Sequence, residues 1–437
     1  MENIEQRYKE VTEWMFSQVP MFHNLGAGAY KPGLERVEAL SKAFGSPHKA
    51  FTSIHVAGTN GKGSTSSLIA SVLTEHGQGK SKIGLFTSPH LLDFRERIRI
   101  NGEMISKTDV VSFIDRFRQL GLAELEPSFF ELTTVMAFDW FARMGVDTAV
   151  IEVGLGGRLD STNIISPVLS IITNISLDHT SLLGNTTEKI AYEKAGIIKP
   201  YTRVIIGRCD EKVRRVFEDK AAREHAPIVF AQDFPAFTEV EYRPDSNVYK
   251  DTHWRTIESP LTGECQTENA NTVFTALSFL PTVCCSPDDV RLCFANVFRN
   301  TGLMGRWMMV GTSPTIVCDT GHNPGGWEFL GPRLCEISKN GPLRMVIGFV
   351  NDKDINTILS MMPKNAEYYF TSPDVKRARS AESLQEEAAH HGLQGKIYPS
   401  VAEAFKAAKD GLSHDGTIFV GGSTFIVADF LNFFKSE

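Results

Sequence analysis

Residues 54–65 read IHVAGTNGKGST, an apolar approach that runs into a glycine-rich turn, a lysine and two hydroxyl side chains. These residue types in this order suit a phosphate-binding loop. Glycine accepts positive φ and close backbone approach, so the N–H groups of Gly58, Thr59, Asn60, Gly61, Lys62 and Gly63 can converge on phosphate oxygens. A helix starting at Ser64-Thr65 adds partial positive charge at its N-terminus. Lys62 reaches the β- and γ-phosphates, and the Ser64 hydroxyl can ligate Mg²⁺. The order departs from G-x-x-x-x-G-K-[ST]: counted from Gly58, the lysine arrives one place early and Gly63 separates it from Ser64. A purely structural turn is the competing reading, and the lysine and serine weigh against it.

Six further groups could do chemistry. In AVIEVGLGGRLDSTN, Glu152 ends an apolar run, where a buried carboxylate needs a cation, either in an ordinary ion pair or as a metal. Gly154, Gly156 and Gly157 resemble a dinucleotide fingerprint, but its third glycine would fall on Leu159 and no helix begins there, so that reading fails. Asp178-His179 follows the next apolar run, so hydroxyl, carboxylate and imidazole are expected on one sheet rim, suited to a Mg²⁺ beside triphosphate. Lys194, in EKAGIIK, has apolar neighbours on both sides; it either snorkels to solvent or is partly buried and chemically modified. Further along, Asn269 is placed at a helix start, able to read an adenine or cap the helix. Asp319 and His322 end a later strand in CDTGHNPGG, and Arg306 can clamp phosphate at a domain junction.

The elements that position these residues alternate between two periods. FTSIHVA, SKIGLF, DTAVIEV and VLSIITNI are short, β-branched runs of the kind buried parallel strands use. STSSLIASVLTEHG, ELTTVMAFDWFARMG and TTEKIAYEKAGII carry helical spacing between them. This rhythm predicts a doubly wound parallel sheet with ligands at the carboxyl ends of its strands. FTEVEYR and YKDTHWRTI predict a small antiparallel patch over about 237–259, followed by helical segments from about 264 to 297. FRNTGLMGR reads as a connection, after which SPTIVCDTG, LRMVIGFV, AEYYFTS and GTIFVGG restart the strand–helix alternation. The expected organisation is therefore an α/β protein with a P-loop-type domain over 1–298 and a smaller Rossmann-like α/β domain over 299–437, meeting across a ligand-holding cleft.

Composition sets the class. The 437 residues are 42% hydrophobic and 22% charged, as in ordinary globular proteins. A net charge of −7 supplies no field to recruit nucleic acid or an anionic membrane. The first ten residues are charged, unlike a signal peptide, and no apolar run approaches the ~20 residues that span a bilayer. Seven cysteines without a C-x-x-C pair favour a reducing compartment over a disulfide framework or structural zinc. A cytoplasmic enzyme is expected.

Taken together and in order, GTNGKGS, TSPHL with FRERIRING, EVGLGGRLDSTN, EKAGIIK and DTGHNP resemble the Mur ligase superfamily of ATP-dependent amide-forming enzymes, specifically its folate branch of dihydrofolate and folylpolyglutamate synthases. The resemblance spans nearly the whole chain. One departure is Thr320-Gly321, where the branch usually reads Gly-Ala between the Asp and the His. The resemblance implies that ATP binds in the interdomain cleft with its phosphates on Gly58–Ser64, and that the γ-phosphoryl group passes to a substrate carboxylate. Glutamate's amine then attacks the acyl phosphate to give an amide. It further implies one Mg²⁺ on Ser64 and Glu152 and a second on Glu152, His179 and a carbamylated Lys194, with Lys62 catalytic. Asn269 and Arg306 would contact adenine and triphosphate, and Asp319 would approach ATP from the second domain. Ser88, Pro89 and His90 fall in the branch's mobile substrate loop, Asp160 and Phe130 would meet the pterin, and His322 and Ser423 the incoming glutamate.

The residues 16–40 resemble bacterial members that often carry both activities, so a bifunctional enzyme is expected, using dihydropteroate, folates and L-glutamate and acting as a monomer. A monofunctional folylpolyglutamate synthase is the alternative. A peptidoglycan-type Mur ligase would normally carry a UDP-sugar-binding domain, for which about fifty residues before the loop are too few. A motor or regulatory P-loop ATPase would need the standard lysine order and a Walker-B aspartate, neither of which is evident.

Overall fold

The computed structural model describes residues 3–19, 32–76, 81–280, 286–351 and 355–436. The segment 16–40, on which the expectation of two activities rests, lies partly outside them. The chain divides into two compact units. One comprises Met1–Ile175, Thr180–Pro260 and Gln266–Leu303; the other comprises Ser176–His179, Leu261–Cys265 and Met304–Glu437.

The first unit is built on an eight-stranded sheet. Its strands are β1 (Thr52–Ala57), β2 (Ile83–Phe86), β3 (Ile98–Ile100), β4 (Glu103–Met104), β5 (Thr148–Glu152), β6 (Leu169–Asn174), β7 (Arg203–Arg208) and β8 (Ile228–Phe230). They run in the order β4-β3-β2-β5-β1-β6-β7-β8. The six strands from β2 to β8 are parallel, while β3 and β4 add an antiparallel edge. The central strands are buried throughout, which is why they read as unbroken apolar runs rather than as alternation. The helix Phe129–Met144 is held at its start by Ser128, which shares a capping box with Glu131, and is closed by Gly145 at φ 65°. Its Phe138 and Phe141 are fully buried, each contributing ~2–3 kcal/mol.

The expected antiparallel patch is a three-stranded sheet of β9 (Glu239–Tyr242), β10 (Asn247–Thr252) and β11 (Arg255–Ser259). YKDTHWRTI is two strands rather than one: the chain turns at His253-Trp254, and Asp251 and Arg255 flank the turn with φ of 53° and 68°. The helix starting at Glu264 runs to Leu277. The boundary expected at 299 falls inside the helix Val297–Thr301, which ends on Gly302 at φ 65°. The start of FRNTGLMGR is therefore helical rather than a connection.

The second unit carries a six-stranded sheet of β12 (Met308–Thr312), β13 (Thr315–Asp319), β14 (Leu343–Ile347), β15 (Glu367–Phe370), β16 (Gly395–Ile397) and β17 (Thr417–Gly421), ordered β12-β13-β17-β14-β15-β16. All pairs are parallel except β12–β13. Trp327, Met345, Phe349 and Phe419 fill its core. Among the described residues, no helix is long and apolar enough to cross a membrane.

Candidate active site

The topology of the first sheet concentrates the candidates. Strand β1 lies between β5 and β6, with Val56 opposite Glu152 and Ala57 opposite Ile172. The loop after β1 therefore emerges between the ends of β5 and β6, where the strand order reverses and α/β sheets bind ligands.

That loop is built by the two neighbours. Thr59 donates its N–H to the Asn174 main-chain oxygen at 2.9 Å, and Asn60 donates to the Asn174 side chain at 3.0 Å. The Thr173 hydroxyl holds the Asn60 carbonyl. Gly58 and Gly61 have φ of 145° and 82°. A Cβ on Gly61 would stand 2.1 Å from Asn269 Oδ1, and one on Gly58 would stand 1.9 Å from Thr173 Oγ1. Both glycines are thus required by conformation and by space. Lys62 Nζ folds back to the carbonyls of Gly58 and Thr59, each at 3.0 Å. The helix starts at Lys62, two residues earlier than expected, so Gly63 and Ser64 are its first-turn residues.

Ser64 Oγ is buried and has no hydrogen-bond partner. An orphaned hydroxyl at a helix start, beside a strand that ends on a buried carboxylate, fits a hard divalent cation. Glu152 is 3% exposed, and its Oε2 accepts from the Ser88 N–H at 3.3 Å. No group of three His, Cys, Asp or Glu side chains gathers at metal-binding distance among the described residues. The donors present are a hydroxyl and a carboxylate, leaving room for phosphate oxygens and water.

Lys194 does not snorkel. It is 5% exposed, and its Nζ donates to the Gly58 carbonyl at 2.8 Å. His179 belongs, with Ser176–Asp178, to the second compact unit, whereas Ser64, Glu152 and Lys194 belong to the first. Strand β6 ends at Asn174, five residues before the histidine, whose φ is 50°.

The loop after β2 carries Ser88, Pro89 and His90 and is organised by two residues that motif reading passed over. Glu96 accepts from the N–H groups of Leu91, Leu92 and Asp93 at 2.8, 3.0 and 2.9 Å. Arg97, 3% exposed, donates from Nε to His90 Nδ1 at 2.7 Å and lies over the Phe129 ring. Burial pulls its pKa down to about 10, with the negative charges of Glu152 and Glu96 opposing the shift. The available signal is four charges in FRERIRI (Arg95, Glu96, Arg97 and Arg99) set among the apolar Phe94, Ile98 and Ile100.

Asp160 is buried and caps the 3₁₀ turn Ser161–Ile164. Its Oδ1 accepts from the Thr162 N–H at 3.0 Å and the Thr162 hydroxyl at 2.5 Å, while Oδ2 accepts from the Leu155 N–H at 2.8 Å. Burial raises its pKa and these bonds oppose the rise. Phe130 lies against Gly154, where a Cβ would meet its ring at 2.4 Å. Asn269 sits in the second turn of its helix, not at the start, so capping that helix is ruled out. Its Nδ2 donates to Gln266 Oε1 at 2.9 Å.

In the second unit, β13 and β17 are neighbours, with Asp319 opposite Gly421. This brings Asp319, His322 and Ser423 to one sheet edge. Asp319 accepts from the N–H groups of Trp307 at 2.6 Å and Gly321 at 2.7 Å; burial raises its pKa and the charge of Arg306 opposes this. Arg306 bonds the Thr320 hydroxyl, one of the two positions that depart from the usual motif. His322 Nδ1 is 2.9 Å from the Thr320 carbonyl. Asn323 caps the helix Pro324–Asn340 and donates to Asp178 at 3.0 Å. The Ser423 hydroxyl caps the last helix through Ile426 N–H at 3.2 Å.

Comparison with known proteins agrees with this layout. Residues 56–277 match the Mur ligase middle domain, and residues 305–424 match the Mur ligase glutamate ligase domain. A probable bifunctional folylpolyglutamate synthase/dihydropteroate synthase of Haloferax volcanii is 32% identical over 91% of this chain, which spans about half (48%) of that relative. The dihydrofolate synthase/folylpolyglutamate synthase of Bacillus subtilis is 30% identical over 97% of this chain and 98% of its own. The crystal structure of a bifunctional folylpolyglutamate synthase/dihydrofolate synthase from Yersinia pestis, complexed with AMPPNP and Mn, superposes with a TM-score of 0.81 at 26% identity, covering 100% of both chains. The chain belongs to the Mur ligase family, in its dihydrofolate synthase/folylpolyglutamate synthase branch.

Proposed function

We propose that this chain joins L-glutamate to dihydropteroate and to folates that already end in glutamate, with ATP as the energy source and ADP and phosphate as co-products. The observation that carries this is the loop Gly58–Ser64, closed by Thr173 and Asn174 and ending on an orphaned, buried hydroxyl. The loop N–H groups and Lys62 would hold the triphosphate. Ser64 and Glu152 would hold a divalent cation, which neutralises phosphate charge when bound; His179 and a carbamylated Lys194 are proposed as partners of a second.

The substrate carboxylate attacks the γ-phosphorus, ADP leaves, and an acyl phosphate forms. The neutral amine of glutamate then adds to the acyl carbon, a tetrahedral intermediate loses phosphate, and the amine proton passes to solvent as the amide forms. Positioning and charge compensation dominate such a sequence. Asp160 and Phe130 would receive the pterin, and the loop Ser88–His90 would close on it. Asn269, Arg306 and Asp319 would contact ATP, and His322 and Ser423 the incoming glutamate. The enzyme is placed in the cytoplasm as a monomer, without nucleic-acid or membrane partners. Light scattering at assay concentration would revise the oligomeric state if it returned twice the chain mass.

Phosphate release tests the reading. It should require ATP, glutamate and a pteroate or folate together. Equal release from ATP alone would mark a simple ATPase instead.

A further inference from the structure

His55 is an odd residue for the centre of a parallel sheet. It is wholly buried on β1, flanked by Ile54 and Val56, and its Nδ1 has no hydrogen-bond partner. A valine or leucine would fill the position without desolvating an imidazole, so packing alone does not account for it. Its other nitrogen, Nε2, lies 2.8 Å from Thr162 Oγ1.

Donor counting fixes the direction of this contact. The Thr162 hydroxyl has one proton, and Asp160 Oδ1 stands 2.5 Å away as an acceptor. The proton therefore goes to Asp160, and Oγ1 can only accept from His55. The imidazole must carry its proton on Nε2 and a bare lone pair on Nδ1; a second proton there would be buried without an acceptor. Desolvation and the nearby Lys199 charge act in the same sense, lowering the His55 pKa to about 3. Lys199 itself donates to the Asn163 carbonyl at 2.9 Å.

We propose that His55 and Thr162 are positioning residues that orient the Asp160 carboxylate toward the pterin, and so set affinity for the pteroate or folate substrate. This rests on the reading above that Asp160 receives the ring. Oδ1 is occupied by two bonds from Thr162, and Oδ2 takes the Leu155 N–H. The carboxylate plane is thereby fixed before substrate arrives, which is what recognition of ring N–H donors requires.

The test measures KM for dihydropteroate and for ATP, with kcat, in the full-length chain. His55→Leu and Thr162→Val should each raise the dihydropteroate KM about fivefold or more and leave the ATP KM within about twofold, as expected for lost preorganisation. His55→Gln and Thr162→Ser keep the donor and the hydroxyl and should stay within about twofold of the parent. The double variant His55→Leu/Asp160→Ala should be no worse than Asp160→Ala alone, because His55 acts through Asp160. If Asp160→Ala raises the dihydropteroate KM while His55→Leu and Thr162→Val do not, the relay is overturned and the Asp160 reading stands. If Asp160→Ala leaves that KM unchanged, the reading beneath it fails as well. Equal rises in both KM values would mark a general structural role and overturn the relay. Should His55→Leu fail to fold, the Thr162 pair decides the same question.

Discussion

The ammonium of Lys194 donates to the main-chain oxygen of Gly58 at 2.8 Å, tying the helix Thr187–Ala195 to the first residue of the phosphate loop. Lys62 reaches the same oxygen at 3.0 Å, so two cations converge on one carbonyl. Both side chains therefore sit at the first residue of the phosphate loop, where their charge would favour an anionic ligand.

Lys194→Ala removes the tie and any carbamylated form. Glutamate incorporation should fall at least about 100-fold, the scale of losing a preorganised charged contact. A short carboxylate added to the assay should restore part of it. Full activity in the alanine variant would contradict the assignment.

Gly61→Ala places a methyl group 2.1 Å from Asn269 Oδ1 at a residue with φ of 82°. The variant should lose ~1–3 kcal/mol of stability and bind ATP more weakly. Thermal unfolding and ATP titration check both, and an unchanged ATP affinity would count against the loop geometry.

Arg97→Met removes the donor to His90 and a charge that faces Glu152. Turnover should drop at least about tenfold, since one hydrogen bond from a charged group is worth ~1.5–3 kcal/mol. Arg97→Lys should recover part of the loss, because it keeps the charge and loses the fork. A methionine variant with parental kcat would contradict this role.

His55 gives a pH signature. Its folded-state pKa of about 3 lies below the ordinary 6.5, so the unfolded chain binds the extra proton between these values. This contribution to stability is complete above pH 6.5 and is lost as pH falls toward 3. The melting temperature of the parent should fall more steeply from pH 6.5 to 4 than that of His55→Gln. Parallel curves would remove His55 as the titrating group.

The sequence made the local features legible and left the long-range ones hidden. The loop Gly58–Ser64, the strand ending in Glu152 and the strand ending in Asp319 were readable because periodicity and turn residues act over a few neighbours. The helix start near residue 264 is legible, but Asn269 lies in its second turn rather than at that start. The Lys194–Gly58 and His55–Thr162 contacts join residues 136 and 107 apart in sequence, which no local pattern encodes. His179 follows β6 by five residues and is grouped with the second unit, a long-range assignment that no local pattern encodes. The glycine motifs were read for what they bind. Thr162, which lies between two of the motif residues and holds Asp160, carried no signal beyond being a buried threonine.

Product mass tests the central claim most directly. Purified protein is incubated with ATP, Mg²⁺ and L-glutamate, with either dihydropteroate or a tetrahydrofolate as acceptor. The account predicts that each acceptor gains glutamyl residues, with one phosphate released per amide formed. Unmodified acceptors, with phosphate released at the same rate whether or not they are present, would contradict it.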